Sequence, residues 1–233
     1  MSEWRNAAKQ RAAQEAVKWI QHGQVIGLGT GSTIYYVLEE LGRRIQEENL
    51  QIKGVSTSIQ SSQLATNFRI PLVTLNEYPR IDVVIDGADQ VDPKFNLIKG
   101  MGGALTREKI VASAASTMII VVDETKMTPC LGIDQVVPVE VLPFAEQLVS
   151  QRLKKLAKRV IRRTKSDTQP YITDNSNYIL DIDFGEINAP ESLEKQVKSL
   201  PGVIEVGLFI DMVDVVCIGK RTTVEIKQKN ESL

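Results

Sequence analysis

The sequence predicts an α/β protein, with a Rossmann-like parallel-sheet domain and a smaller ferredoxin-like α+β domain inserted near the C-terminus. Unbroken apolar runs such as residues 83–85 and 119–122 alternate with helical patterns in the first half. This alternation is typical of a parallel sheet covered on both faces. After residue 131 the order becomes strand, helix, strand, strand, helix and strand, which is the ferredoxin-like pattern. The expected domains are 1–131 with 208–233, and 132–207.

The elements of the first half follow from apolar spacing and from glycine turns. Apolar residues at 8, 12, 13, 16, 17 and 20 recur with the period of a helix and define its buried stripe. The short runs between the helices are rich in Val, Ile and Leu, as buried strands are. We expect helices at 7–20, 33–48, 58–68 and 103–116. We expect strands within 24–33, 50–58, 70–75, 80–89 and 117–126.

The second half has a different texture, with proline-bounded strands and a turn-rich segment at 165–177. Its predicted helices are 145–159 and 190–200, and its predicted strands are 136–144, 160–164, 178–184 and 202–209. The last two strands, 214–220 and 222–228, lie outside the ferredoxin-like pattern. We expect them to return to the first sheet.

Composition excludes several classes of protein. The chain has 233 residues, 42% of them apolar and 24% charged, with a net charge of −1, which gives no electrostatic surface for nucleic acid or a membrane. No apolar stretch approaches the length of a membrane-spanning helix, and the first 20 residues predict a helix, not a signal peptide. The two cysteines show no metal-ligand spacing, so a reducing compartment, the cytoplasm, is expected.

Polar or glycine-rich residues follow four of the predicted strands. Ligands of open parallel sheets bind beyond the carboxyl ends of the strands, so these exits predict a single ligand crevice. The alternative is that all four are ordinary loops with good helix caps. The exits are residues 29–33, 56–58, 86–89 and 123–126.

The glycine turn GLGTGST, residues 27–33, predicts a phosphate site. It has no lysine of a Walker A loop, and serine stands at position 32, where a dinucleotide fingerprint needs its third glycine. What remains is a turn whose free N–H groups and helix dipole suit a phosphate. A capped tight turn without a ligand is the alternative.

Glu108 is the candidate general base. A helical projection places it in the middle of the arc formed by Ala104, Leu105, Val111, Ala112 and Ala115. Burial raises the pKa of a carboxyl toward the range in which a glutamate works as a base. A structural ion pair with a core lysine is the alternative. Upstream, Lys99 and the backbone N–H groups of 100–103 suit an oxyanion.

A metal site is not expected. The aspartates at 86, 89 and 92 match no calcium-binding loop, and the only histidine, His22, lies far from them in the sequence.

Four motifs in this order, GLGTGST, DGAD, IKGMGGALTREK and DETK, resemble ribose-5-phosphate isomerase of the A type, and the resemblance runs through essentially the whole chain. It implies Glu108 as the base and Lys99, Asp86 and Asp89 as further catalytic residues. As substrate contacts it implies Lys9, Thr30, Gly31, Ser32, Thr33, Asp86, Gly87, Ala88, Asp89, Lys99, Gly100, Met101, Gly102 and Lys126. Lys9, in the first helix, stands where the family often has a phosphate-binding lysine. Met101 departs from the family pattern, which often has consecutive glycines in this segment.

The resemblance also implies a reaction and its partners. The family interconverts ribose 5-phosphate and ribulose 5-phosphate through a cis-enediolate, without a cofactor or a metal, in the non-oxidative pentose phosphate pathway. The implied partner is a small sugar phosphate, and the implied assembly is a homodimer or a homotetramer. Two rival functions stay open: a coenzyme A transferase-like enzyme and a non-catalytic sugar-phosphate sensor.

Overall fold

The structure is a computed structural model that describes residues 3–166 and 169–229, so Asp167 and Thr168 of the predicted turn-rich segment lie outside the described residues. Two units are distinguished: the first comprises 3–88, 107–127 and 212–229, and the second comprises 89–106, 128–166 and 169–211. The domain limits expected from the sequence stay a prediction; they assign 89–106 to the first domain, whereas this segment groups with the second unit.

The helices and strands alternate through the first half of the chain. In chain order they are α1 (Glu3–Val17), β1 (Val25–Leu28), α2 (Ser32–Glu47), β2 (Lys53–Ser56), α3 (Ile59–Asn67), β3 (Ile81–Asp86), β4 (Gln90–Val91), β5 (Leu97–Ile98), α4 (Leu105–Ser113) and β6 (Ala115–Asp123). They continue with β7 (Val137–Val141), α5 (Glu146–Leu153), β8 (Arg159–Arg162), β9 (Tyr178–Asp183), α6 (Pro190–Lys198), β10 (Val203–Val206), β11 (Leu208–Phe209), β12 (Val215–Gly219) and β13 (Val224–Gln228).

Six strands of the first unit form one sheet in the order β13-β12-β6-β3-β1-β2. Its neighbours are parallel except for β13, which runs antiparallel to β12. Parallel neighbours place their carboxyl ends at one edge, so the exits of β1, β2, β3 and β6 all lie there. The predicted parallel sheet and the return of the last two strands to it are both confirmed.

Helices α1 and α2 cover this sheet with small and branched side chains. The predicted stripe of α1 is buried, from Ala8 to Val17, and Ile20 packs just beyond the helix end. Arg44 of α2 donates from Nη1 to the carbonyl oxygens of Val17 and Ile20, at 2.7 and 3.2 Å. The Val17 carbonyl also accepts from the Ile20 N–H at 3.0 Å, so the Arg44 bonds hold α2 against the turn that follows α1.

The second unit contains the predicted ferredoxin-like arrangement. Strands β7 to β10 form an antiparallel sheet in the order β10-β7-β9-β8, with α5 and α6 between its strands in the chain. Val139, Val141, Val149, Leu180 and Val197 belong to its fully or almost fully buried core. A small second sheet, β11-β5-β4, was not predicted, because strands of two residues leave no periodicity to read.

Two predicted strands were wrong in their extent. Residues 70–75 make only one parallel bridge, Leu72 with Gly54, because Pro71 has no N–H to continue a ladder. Residues 202–209 divide at Gly207 into β10 and β11, which belong to different sheets. A Cβ at position 207 would lie 2.3 Å from the Lys99 carbonyl oxygen, so only glycine fits at the division.

Predicted helix ends also needed correction. The helix expected at 103–116 spans Leu105–Ser113, and Ala115 begins β6 instead of continuing the helical arc. The helix expected at 145–159 ends at Leu153, after which the chain turns before β8. The first error arose because Ala114 and Ala115 suit a helix, and the second because the lysine-rich residues 154–159 also suit one. Within the described residues, no helix is long and apolar enough to cross a membrane.

Candidate active site

The predicted site residues divide between the two units. The first unit contains Lys9, 30–33, 86–88, Glu108 and Lys126, and the second contains Asp89 and 99–102.

In the first unit, the turn after β1 is built around the Asp86 carboxylate. Asp86 lies at the end of β3 and is 1% exposed. Its Oδ1 accepts hydrogen bonds from the backbone N–H groups of Thr30, at 3.1 Å, and Gly87, at 2.7 Å. A Cβ on Gly29 would lie 2.1 Å from the same oxygen. Glycine at 29 therefore lets the β1 turn close onto the end of β3.

Gly31 lies immediately before the first residue of helix α2. It has φ 119°, a left-handed value that favours glycine, and it occupies the N-cap position of α2. Its carbonyl accepts from the Ile34 and Tyr35 N–H groups, at 3.1 and 3.3 Å, but without a side chain it cannot cap the N–H groups of Ser32 and Thr33. Those groups and the helix dipole favour an anion at this place, as the turn sequence predicted.

Positive side chains gather at the same helix end. The ammonium of Lys9, on the buried face of α1, donates to Ser32 Oγ at 2.9 Å. Burial lowers the pKa of Lys9 below its ordinary value; the Asp123 carboxylate raises this pKa, whereas the charges of Lys126 and Arg5 lower it. Like charges that oppose one another beside a helix N-terminus would be relieved by a bound anion.

Glu108 occupies the first turn of α4 and is 3% exposed. Helix α4 packs closely on the sheet. A Cβ at Gly27 of β1 would lie only 2.7 Å from the side chain of Val111. The helix ends at Ser113, close in sequence to the start of β6, so its last turn lies at the amino edge of the sheet. Its first turn, with Glu108, therefore lies toward the carboxyl edge. The predicted burial of Glu108 on the apolar face is confirmed.

In the second unit, Asp89 and Lys99 stand at the same, open end of a short antiparallel hairpin, just before β4 and just after β5. Asp89 donates its N–H to the Ile98 carbonyl at 2.8 Å, and its Oδ2 accepts from the Met101 N–H at 3.0 Å. Lys99 is 2% exposed, and its ammonium lies 5.5 Å from the centre of the Phe209 ring. The Met101 N–H is thus used within the protein, although the sequence had suggested it for an oxyanion.

Known proteins resemble the chain along most of its length. The family described as ribose 5-phosphate isomerase A (phosphoriboisomerase A) matches residues 53–223. The ribose-5-phosphate isomerase A of Thermosynechococcus vestitus is 47% identical over 214 residues, 91% of each chain. That of Methanoregula boonei is 50% identical over 204 residues, 87% of this chain and 85% of the relative.

Solved structures agree with the sequence relatives. A D-ribose-5-phosphate isomerase in complex with phospho-erythronic acid superposes with a TM-score of 0.94 at 40% identity, covering 98% of this chain and all of the other. The ribose 5-phosphate isomerase A of Methanocaldococcus jannaschii gives a TM-score of 0.91 at 41% identity, covering 96% and 99%. The chain belongs to the ribose 5-phosphate isomerase A family.

Two residues of this family member help to build the site but were not among the predicted substrate contacts, although their strand exit was placed at the ligand crevice. Thr57 and Ser58 follow β2, and their hydroxyls bond Thr30 Oγ1 at 2.8 and 2.7 Å. Thr57 Oγ1 also donates to the Leu28 carbonyl at 3.0 Å. The Thr30 side chain and the Thr30 N–H, which donates to Asp86, therefore both fix the β1 turn. The polar exit at 56–58 was the signal that could have found these residues.

Among the residues that the structure describes, no group of three or more His, Cys, Asp or Glu side chains is arranged to hold a metal ion. Asp92, the third predicted aspartate, instead binds its own loop. Its Oδ1 accepts from the N–H groups of Lys94 and Asn96, both at 2.8 Å.

Proposed function

We propose that this chain interconverts D-ribose 5-phosphate and D-ribulose 5-phosphate, the reaction for which its relatives are named. The observation that carries the proposal is the position of Glu108. A carboxylate that is 3% exposed is costly to maintain, and this one lies toward the sheet edge where parallel α/β folds bind ligands. The N-terminus of α4 favours its charged form, which is the form that a base requires.

The chemistry needs one base and no oxidant. Glu108 takes the proton from C2 of the open-chain aldose, the electron pair forms the C1–C2 double bond, and O1 gains the negative charge of a cis-enediolate. The O2 proton is transferred to O1, which becomes the C1 hydroxyl, and the negative charge passes to O2. The protonated Glu108 then returns the proton to C1, and O2 becomes the ketone oxygen. Lys99 is our candidate for stabilising the enediolate, and Asp86 and Asp89 for handling hydroxyl protons during ring opening. These three roles rest on the motifs that contain the residues.

The phosphate of the substrate is assigned to the start of α2. The Gly31 turn, Ser32, Lys9 and Lys126 combine backbone N–H groups with two ammonium charges. Free ribose lacks the group that these residues bind, so the catalytic efficiency on ribose is expected to be far below that on ribose 5-phosphate. Comparable efficiencies on the two sugars would contradict this assignment.

The deciding experiment is turnover of ribose 5-phosphate by the purified chain without any acyl donor. Formation of ribulose 5-phosphate supports the isomerase. Binding of ribose 5-phosphate without turnover would indicate the sensor, and activity only with a coenzyme A ester would indicate the transferase. Activity should also survive exhaustive EDTA treatment, because we propose neither a metal nor a cofactor. Loss that only a divalent ion restores would refute that part.

We further propose a cytoplasmic homodimer or homotetramer that acts in the non-oxidative pentose phosphate pathway. Both cysteines are free thiols, as expected in a reducing compartment. On the second unit, Leu142, Phe144 and Leu148 are exposed large apolar side chains within seven positions, and Phe144 is fully exposed. Such side chains are typical of a subunit interface. Sedimentation should show an assembly that Phe144→Ser weakens; a wild-type monomer would refute the proposed assembly.

A further inference from the structure

The loop from Lys99 to Thr106, which includes the first two residues of α4, needs contacts from outside the loop to keep its shape. It contains Gly100 and Gly103 with φ of 106° and 81°, so both adopt a left-handed backbone. Glycine gives up more conformational freedom on ordering than any other residue. Within the loop, the Gly103 N–H donates a hydrogen bond to the Gly100 carbonyl at 3.0 Å. Contacts with the rest of the second unit must supply the remaining order.

Arg163, just after β8, binds two carbonyl groups of this loop. Its Nη1 donates to Gly100 O at 2.9 Å and to Met101 O at 3.0 Å. Its Nε and Nη2 donate to the two oxygens of Asp181, at 2.9 and 2.5 Å. The bidentate pair fixes the plane of the guanidinium, and the loop carbonyls therefore meet a donor of fixed direction.

Tyr171 binds the next carbonyl. Its hydroxyl donates to Gly102 O at 3.1 Å, and its ring lies where a side chain at position 103 would be. A Cβ on Gly103 would lie 2.2 Å from the hydroxyl oxygen. The Arg163 guanidinium lies 5.8 Å from the centre of the same ring, so the two side chains support one another.

Glu140 anchors the end of the loop. It is fully buried in β7, and it accepts hydrogen bonds from Thr106 and Thr173 hydroxyls and from the Asn175 and Asn177 amides. Thr106 lies in α4 two positions before Glu108, and the other three donors follow Tyr171 in the chain. One carboxylate therefore ties the start of α4 to the segment that presents Tyr171.

We propose that Arg163, Tyr171 and Glu140 form a positioning network that sets the direction of the loop's N–H groups. This proposal rests on the proposed isomerase function. In a trans peptide the N–H points opposite to the carbonyl of the same plane. Holding the Met101 carbonyl thus directs the Gly102 N–H away from Arg163. Holding the Gly102 carbonyl directs the Gly103 N–H away from Tyr171, and this N–H donates to the Gly100 carbonyl within the loop. The network presents the Gly102 N–H to the negative oxygen of the enediolate.

The test compares Arg163→Lys and Tyr171→Phe with the control Arg162→Lys. Arg162 is the neighbouring residue of β8, and its side chain forms an ion pair with Glu146 on the exposed side. Lysine keeps the positive charge but lacks the planar guanidinium group that donates several hydrogen bonds in fixed directions. Arg163→Lys should lower kcat about 10- to 100-fold, since hydrogen bonds from charged groups are lost. Tyr171→Phe should lower kcat several-fold. KM for ribose 5-phosphate and inhibition by inorganic phosphate should change less than about three-fold, because the phosphate residues lie in the first unit. The control should keep wild-type values.

Amide hydrogen exchange provides a readout that does not depend on turnover. In Arg163→Lys the peptide covering 99–106 should exchange faster than in the wild type, and the peptide covering 26–34 should not. Unchanged exchange of 99–106, or kcat within two-fold of the wild type, would overturn the proposal. If the wild type itself fails to isomerise ribose 5-phosphate, the proposed function fails. Faster exchange in the variant would then still support the network as the support of the loop, while its catalytic purpose would be refuted.

Discussion

The two units support their site residues in different ways. In the first unit the groups around the β1 turn come from the ends of neighbouring strands, as with Asp86 after β3 and Thr57 after β2. In the second unit the carbonyls of the glycine loop are held by Arg163 and Tyr171, which are 63 and 69 positions away in the chain. A parallel sheet brings its own exits together, whereas a glycine loop needs side chains from elsewhere to order it. The first kind of support follows from topology, and the second depends on individual residues.

The largest effect on activity is expected from a substitution at Glu108, in the first unit. Glu108→Gln keeps the size of the side chain but removes the base. General-base catalysis is typically worth about 10²–10⁴-fold, so kcat should fall by at least that order while ribose 5-phosphate still binds. Steady-state kinetics with a calorimetric binding measurement would check this. A folded variant that keeps more than roughly a tenth of the activity would assign Glu108 to a structural ion pair, and would point to Asp86 or Asp89 as the base.

Phosphate binding in the first unit is tested by Lys9→Met, which replaces the ammonium with an apolar side chain of similar length. KM for ribose 5-phosphate should rise about 10- to 100-fold, the value of a hydrogen bond to a charged group. Lys18→Met, an exposed neighbour of α1 paired with Glu15, is the control and should stay within two-fold of the wild type. Equal effects of the two substitutions would mean that Lys9 acts only through the net charge.

The lowered pKa of Lys9 gives this prediction a pH dependence. Because the pKa is lower in the folded state than in the unfolded state, the unfolded chain binds more protons, and Lys9 lowers stability while it is charged. That cost is fully present below the folded pKa and is removed as the pH rises from it toward the ordinary lysine value. Lys9→Met should therefore unfold at a temperature at least as high as the wild type at neutral pH, although it binds substrate worse. A clear fall in melting temperature would contradict this.

Sequence reasoning found the supports that topology generates and missed the others. Glu108 was predictable because the helical period alone places it on the buried arc, and the β1 turn was predictable because strand exits share one edge. Arg163 follows a short, largely exposed strand, and nothing in its local pattern indicates the loop at 100–101 as its partner. Glu140 stands in an apolar run, where its four donors from distant segments cannot be read. Lys99 and Asp89 were selected from the glycine loop and from a strand exit, not from periodicity, and the family resemblance implied their catalytic roles.

The close approach of the β1 turn to the end of β3 can also be tested, and a smaller effect, on stability, is expected. In Gly29→Ala the new methyl group would meet Asp86 Oδ1 at 2.1 Å and its Cα at 2.7 Å, so β1 and β3 must separate. Overpacking of this kind costs about 1–3 kcal/mol of unfolding free energy. Gly87→Ala is the stability control, because its methyl group meets only the Val121 carbonyl, at 3.8 Å. Urea unfolding of the two variants should separate them. Equal stabilities would show that the β1 turn adapts easily, unlike a turn fixed by sheet topology.

The smallest expected effect concerns Thr57, whose hydroxyl links Thr30 to the Leu28 carbonyl in a fully buried place. Thr57→Val removes that hydroxyl and leaves both partners with one bond fewer. A typical hydrogen bond contributes about 1 kcal/mol, so the free energy of unfolding should fall by about that amount, measured as a lower urea midpoint with an unchanged slope. Thr66→Val, at an exposed position on α3, should change stability by less than about 0.5 kcal/mol. Because Thr30 is also held through its backbone by Asp86 and through its hydroxyl by Ser58, kcat should fall less in Thr57→Val than in Arg163→Lys. If kcat falls as far in Thr57→Val, the first unit depends on single side chains as much as the second, and strand topology does not by itself hold the β1 turn.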